Sequence, residues 1–178
     1  DWDGEVVRQS ERFALYDAAI ERLAAGGLTY RCYCTRREIA EAASAPHELL
    51  PEGAYPGTCR SLSDTECSAR EASGRRPAIR LRTDREIVSF VDRLCGPVST
   101  PVDDVVLRRN DGVPAYNLAV VVDDAAQGID EVVRGDDLLT STPRQIHLQR
   151  LLGLPTPAYA HVPLVLGPDG QRLAKRHG

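Results

Sequence analysis

Apolar side chains recur at helical spacing between residues 10 and 25, with Phe13, Tyr16, Ile20 and Leu23 on one stripe. Ser10 stands where an N-cap belongs and Gly26-Gly27 closes the run, so the pattern predicts an amphipathic helix. A short segment, Tyr30-Arg31-Cys32-Tyr33-Cys34, leads into Thr35-Arg36-Arg37-Glu38, a capping-box pattern that opens a second helix. Residues 44–58 carry three prolines and two glycines and read as a loop. Ser63-Asp64-Thr65-Glu66 then opens another short helix that runs to about Ser73.

From Pro77 onward the period changes from helical to alternating. Ala78–Arg82 and Ile87–Val91 alternate like paired strands, and Val105–Arg108 and Ala115–Val122 flank Asn110-Asp111-Gly112, a hairpin-turn signal. Gly128–Arg134 is a further strand. Thr142-Pro143 starts a helix with proline in its first turn, running to Leu152 before Gly153. His161–Leu166 reads as a last strand before the turn Gly167-Pro168-Asp169-Gly170. The order, helices and a cysteine-bearing segment first and mixed strands and helices afterwards, predicts an α/β fold with a small inserted module.

Composition narrows this only slightly. The 178 residues can bury one substantial core, and 42% hydrophobic with 27% charged residues is ordinary for a globular protein. A net charge of −4 gives no general electrostatic sign of nucleic-acid binding, although Arg70 to Arg85 and the C-terminal run are locally basic. No apolar run approaches the ~20 residues of a membrane span. Asp1-Trp2-Asp3-Gly4 has neither a basic nor an apolar leader character, and the chain holds no Met, so a missing upstream segment is expected. One feature of the charge is specific. Of 22 Lys+Arg, 21 are arginine, and the single lysine is Lys175. A flexible ammonium suits a moving phosphate better than a planar guanidinium fork, which makes Lys175 a candidate phosphate ligand.

Five cysteines without a secretion signal favour reduced thiols and metal ligation over disulfides. Cys32-x-Cys34 followed by Tyr55-Pro56-Gly57-Thr58-Cys59 gathers three thiols and a phenol, a pattern suited to a tetrahedral zinc site. Tyr55 is an unusual fourth donor because its phenol must ionise, and His47 and Cys67 are the conventional alternatives. Cys95 reads as a structural thiol.

The stretches Pro114–Asp124, Val132–Leu139 and Ser141–Gln145, with Arg172-Leu173-Ala174-Lys175-Arg176 at the position of a class I lysine signature, together resemble the catalytic domain of glutamyl-tRNA synthetases. The segment Trp2-Asp3-Gly4…Gln9-Ser10-Glu11-Arg12 fits the same domain, so the resemblance covers nearly the whole chain. Two features are similar to the shorter glutamyl-Q tRNA(Asp) synthetase branch of that family. Its zinc site is Cys-x-Cys followed by Tyr-x-x-x-Cys, as in Cys32, Cys34, Tyr55 and Cys59, and Leu138 stands where full-length glutamyl-tRNA synthetases usually carry a histidine.

The resemblance implies a Rossmann-like class I core in which residues 1–29 and 111–178 belong to the nucleotide-binding part and residues 30–110 to an inserted zinc-containing α+β module. It implies one structural zinc on Cys32, Cys34, Tyr55 and Cys59, and ATP as a substrate with magnesium. Lys175 would contact ATP and serve as the catalytic residue, while Tyr116 and Arg134 would bind glutamate. Arg172 and Ala174 depart from the usual lysine and serine of the signature. The implied activity is activation of L-glutamate without tRNA and its transfer to the queuosine base of tRNA(Asp), by a cytoplasmic monomer with no membrane role. Other readings are an ordinary glutamyl-tRNA synthetase and a non-catalytic zinc-stabilised RNA-binding module. No stretch resembles the first class I signature, so residues 1–178 alone are expected to be inactive.

Overall fold

The computed structural model describes residues 4–43, 54–167 and 173. Lys175, Arg172, Ala174, Arg176 and His47 therefore lie outside the described residues, as does the turn after Gly167.

The first helix, α1 (Phe13–Ala25), buries Tyr16, Ala19, Ile20 and Leu23 along the predicted stripe. Ser10 does not cap it. Ser10 lies within a 3-10 turn, Gln9–Glu11, and the N-cap position falls to Arg12, whose side chain makes no capping bond and reaches instead to Asp123, 2.8 Å away. Gly27 takes a φ of 70° after the helix, and the N–H of Leu28 bonds back to Leu23 O at 3.0 Å. A left-handed residue at that point is what ends the helix, and glycine adopts it without steric cost.

Strand β1 (Thr29–Cys32) pairs antiparallel with β2 (Ala78–Leu81), which also pairs with β5 (Val106–Arg108). Helix α2 (Arg36–Ala43) opens with the expected box. Thr35 N–H donates to Glu38 Oε2 at 2.6 Å, and Glu38 N–H donates to Thr35 Oγ1 at 3.2 Å. Helix α3 (Asp64–Ala72) carries the same reciprocal box between Ser63 and Glu66.

The strand pairing differs from the expectation. β2 does not pair with β3 (Ile87–Asp92); β3 forms a hairpin with β4 (Gly96–Pro101), in register Asp92 to Gly96. Between β2 and β3 the N–H of Thr83 is held by Asp104 Oδ1 at 2.8 Å, and Arg85 adopts a φ of 55°, which turns the chain out of the first sheet. Alternation set both strands but carried no partner information.

A larger correction concerns Ala115–Val122. The Asn110-Asp111-Gly112 turn forms, with Gly112 at φ 87° and Arg109 N–H bonded to Val113 O at 2.9 Å, but its return arm ends at a bridge between Arg108 and Pro114. The chain then enters helix α4 (Tyr116–Ala126). Tyr116 is consequently the first residue of a helix and not part of a hairpin strand. A short apolar run cannot be told apart as strand or buried helix by its pattern alone. Here the helix places Leu118, Ala119 and Val121 in the core, and that burial outweighs the β propensity of three consecutive valines.

The remaining elements run in chain order as strand–helix–strand. β6 (Glu131–Gly135) and β7 (Ala158–Val162) are parallel, with Arg134 opposite His161, and α5 (Thr142–Leu151) crosses between them. β7 stops before Pro163, earlier than the pattern implied, because proline has no N–H to donate to a ladder. One apolar core joins Leu23, Leu81, Leu107, Leu118, Ile146 and Leu148, and a separate cluster surrounds the cysteines with Tyr33 and Tyr55. Among the described residues no helix is long and apolar enough to cross a membrane.

Candidate functional site

Two groups of chemistry-bearing side chains stand out. The first is the cysteine cluster. β1 ends at Cys32, the chain turns through Cys34 into α2, and the segment after residue 53 returns Tyr55 and Cys59 to the same spot. The Sγ atoms of Cys32, Cys34 and Cys59 all lie within 4.8 Å of one another, with Cys34 and Cys59 at 3.4 Å. The Tyr55 hydroxyl is 3.4 Å from Cys32 Sγ and 3.7 Å from Cys34 Sγ. Zinc at its usual bond lengths would require tetrahedral edges of roughly 3.5–3.8 Å, so this donor set fits that ion. Backbone N–H groups support it from outside: Tyr33 donates to Cys59 Sγ at 3.5 Å and Cys59 to the Tyr55 oxygen at 2.9 Å. The Arg80 guanidinium stacks 3.7 Å from the centre of the Tyr55 ring.

Protonation is unevenly divided. The hydrogen bond from Cys59, aided by Tyr55 and the Arg80 charge, pulls Cys32 down to about 5 despite its burial. Burial and the neighbouring thiolate push the Tyr55 phenol well above its ordinary value, and the bond to Cys32 with burial does the same to Cys59. Cys32 is thus the readier thiolate, while Tyr55 and Cys59 favour their protonated forms until a divalent charge arrives among them. Cys67 is buried in the same cluster but is not part of the three-thiol group. His47 lies outside the described residues. Cys95, expected to be a structural thiol of the buried kind, is exposed on the β3–β4 turn.

The second group surrounds Arg134, near the C-terminal end of a parallel strand, where open α/β sheets place their ligands. Its Nε donates to His161 Nε2 at 3.1 Å. Its Nη2 donates to Thr142 Oγ1 and Gln145 Oε1, both at 2.8 Å. Among the described residues no carboxylate forms an ion pair with it, so a half-buried positive charge is held by neutral acceptors. Behind His161 stands Asp92, whose Oδ2 is 2.6 Å from His161 Nδ1. Burial raises the Asp92 carboxyl, but the N–H of Cys95, the His161 side chain and the N–H groups of Leu94 and His161 outweigh it, leaving it below the usual carboxylate range.

Gly135 follows Arg134 and has no room for a side chain: a Cβ there would meet Asp137 Oδ1 at 2.6 Å and Leu164 Cδ2 at 2.8 Å. Tyr116 is half exposed at the start of α4. Its neighbour Asn117 accepts from Gln145 Nε2 at 3.1 Å, which connects the start of α4 to the Arg134 network. Tyr159, with Arg134 5.5 Å from its ring, is held above its ordinary value chiefly by burial, with Tyr116 also raising it and Arg134 lowering it.

Sequence reasoning did not find Asp92, His161, Thr142 and Gln145 as one network, because Asp92 and His161 are 69 positions apart. Nor did it find that Asp123 is buried. Asp123 accepts from the Tyr16 hydroxyl at 2.8 Å and from Gln9 at 3.1 Å, with Arg12 at 2.8 Å, and so is not a solvated acid.

Comparison with known proteins gives the chain its family. The family described as class I tRNA synthetases (E and Q), catalytic domain, matches residues 1–178. The glutamyl-Q tRNA(Asp) synthetase of Nocardia farcinica is 68% identical over 178 residues, covering 100% of this chain and 57% of that protein. The protein of the same name from Symbiobacterium thermophilum is 55% identical over 174 residues, covering 96% of this chain and 54% of that one. The chain therefore spans about half the length of the curated relatives it matches. The crystal structure of a glutamate tRNA ligase from Elizabethkingia meningosepticum in complex with its amino acid superposes with a TM-score of 0.74 at 29% identity, covering 97% of this chain and 37% of that one.

Proposed function

The chain belongs to the catalytic-domain family of class I tRNA synthetases for glutamate and glutamine, and on that premise we propose that the full-length protein is a glutamate-activating ligase acting on queuosine in tRNA(Asp). The observation that carries the choice within the family is the Tyr55 phenol closing a three-thiol group, in a chain 68% identical to a protein named for that activity. Cys32, Cys34, Tyr55 and Cys59 would hold one structural zinc, fixing β1, the start of α2 and the returning loop as a unit. Residues 30–110 would form the inserted module carrying it, and residues 1–29 and 111–178 parts of the nucleotide-binding core.

In the reaction, a glutamate α-carboxylate oxygen attacks the α-phosphate of ATP, and the bond to the departing pyrophosphate breaks. Catalysis of this kind depends on positioning and on stabilising charge at the phosphate oxygens. Arg134 suits a glutamate carboxylate, since its guanidinium is pre-oriented and pairs with no carboxylate among the described residues. Tyr116, half exposed at the start of α4, would offer its hydroxyl to the same substrate. Lys175 would serve the ATP phosphates as a flexible charge, with magnesium sharing the load. The protein would act as a cytoplasmic monomer.

The test supplies full-length protein with glutamate and ATP in the absence of tRNA and measures pyrophosphate exchange. Acceptors are then compared: tRNA(Asp) with and without queuosine, and tRNA(Glu). Exchange without tRNA and loading of queuosine-containing tRNA(Asp) alone is the expected result. Activation seen only with tRNA(Glu) would establish an ordinary glutamyl-tRNA synthetase, and zinc-dependent RNA binding without exchange would establish a non-catalytic module.

A further inference from the structure

Arg134 is not free to choose its orientation, and the residues that constrain it form a chain running into the β3–β4 hairpin. Asp92, the last residue of β3, has a side chain with no solvent exposure. Its Oδ1 accepts from the N–H groups of Leu94, Cys95 and His161 at 3.0, 2.9 and 3.2 Å, which locks the carboxylate in place. Its Oδ2 then faces His161 Nδ1 at 2.6 Å. An ionised carboxylate only accepts, so Nδ1 must carry a proton. On the far side of the ring, Nε2 lies 3.1 Å from Arg134 Nε, which is a donor under all conditions because a guanidinium does not deprotonate. Nε2 must therefore be a bare acceptor. The Thr142 hydroxyl, also 3.1 Å from Nε2, fits the same state, since it can accept from Arg134 Nη2 and donate to a bare Nε2 in place of Leu138 O at 3.3 Å. The three neighbours together specify one neutral tautomer, Nδ1–H with Nε2 unprotonated, in the way that the partner on one ring nitrogen sets the role of the other.

The consequence falls on the guanidinium. His161 takes the N–H of Nε, while Thr142 and Gln145 take the two N–H groups of Nη2. Among the described residues no acceptor takes the N–H groups of Nη1, which leaves them for a ligand. We propose that His161, oriented by Asp92, is a positioning residue that holds Arg134 with its Nη1 edge presented to the glutamate carboxylate. This rests on the reading that Arg134 binds that carboxylate. It adds that Asp92, a residue of the hairpin, sets the geometry of glutamate binding through a buried imidazole, without either residue touching the substrate.

The experiment uses full-length protein and ATP–pyrophosphate exchange, with the KM for glutamate and the KM for ATP measured separately. His161→Asn keeps a donor near the Nδ1 position, for Asp92, but has nothing to accept from Arg134. His161→Gln can place an amide oxygen near the Nε2 position, for Arg134, and gives up the Asp92 contact. The KM for glutamate is expected to rise on the order of 10-fold or more in His161→Asn with the KM for ATP unchanged, and His161→Gln should recover most of that loss. Equal effects of the two variants, or a fall in kcat with both KM values unchanged, would overturn the proposal by making His161 merely structural. Arg134→Gln measured alongside separates the two levels of the argument. An unchanged KM for glutamate there overturns the role of Arg134 and the positioning with it, whereas a raised KM there beside an unchanged one in His161→Asn overturns the positioning alone. Nitrogen NMR of the unmodified protein gives an answer that needs no variant to fold: His161 should show a protonated Nδ1 and a bare Nε2, and the opposite tautomer would refute the arrangement.

Discussion

The cysteine cluster draws its four donors from two short segments, residues 32–34 and 55–59, while the Arg134 network draws on β3, β6, α5 and β7. In the first, close spacing along the chain brings donors together once a single loop closes. In the second, the partners are spread over 69 positions and meet only after three strands and a helix have packed. The difference teaches that a metal-type site can be stabilised by one ion acting on nearby ligands, whereas a pre-oriented guanidinium needs the surrounding core in place first. Asp103 joins the two. Its Oδ2 accepts the N–H of Tyr55 at 3.0 Å and its Oδ1 meets Arg144 Nε, on α5, at 2.5 Å.

The largest effect should come from breaking the local site. Cys59→Ser is expected to lose stoichiometric zinc and on the order of several kcal/mol of stability, since binding energy of a structural ion is folding energy. Metal analysis with chemical unfolding checks both, and full zinc content would remove Cys59 from the ligand set. Tyr55→Phe with unchanged zinc would do the same for Tyr55.

A smaller effect should follow from cutting the bridge. Asp103→Ala leaves Arg144 and the Tyr55 N–H without their acceptor in a buried setting, at a cost of about 3 kcal/mol. The expectation is lower stability in urea with zinc retained. Loss of zinc together with stability would show that the cluster depends on α5 and is less local than its spacing suggests.

The smallest concerns His147, a buried residue of α5 whose Nδ1 lies 3.5 Å from Glu86. Burial lowers its pKa, with the Arg150 charge assisting and Glu86 opposing. A base whose folded pKa is depressed binds fewer protons folded than unfolded, so stability is full above the unfolded value of about 6.5 and falls as the pH drops from there through the folded pKa. His147→Gln should flatten that fall by less than one proton's worth of slope, measured as unfolding midpoints between pH 7 and pH 5 on the ordinary scale. An unchanged slope would place the acid sensitivity of the core elsewhere.

Local chemistry was legible without a structure. The capping box at Thr35 and the helix start at Ser63 formed as expected, because the donors and acceptors that make them lie three residues apart. The glycine stop after α1 did so because its conformation is a property of one residue. The thiol grouping was readable from Cys-x-Cys and the returning Tyr55–Cys59 segment. Resemblance singled out Arg134, but not the partners that hold it. What escaped was pairing. The strand character of Ile87–Val91 was plain, but its partner was decided by a backbone turn at Thr83–Arg85. The run from Leu118 to Val122 had a strand's composition and became a helix because the core needed one face of it.

By itself, then, the sequence determined the family, the local caps and turns, and the residue types of a metal-type cluster, since each depends on groups near one another along the chain or on a motif kept intact. Only the tertiary structure decided that α4 is a helix, that β3 turns to β4, and that Asp92 reaches Arg134 through His161. Those choices depend on which buried surfaces and unpaired polar groups meet across long stretches of chain, and no local pattern encodes such a meeting.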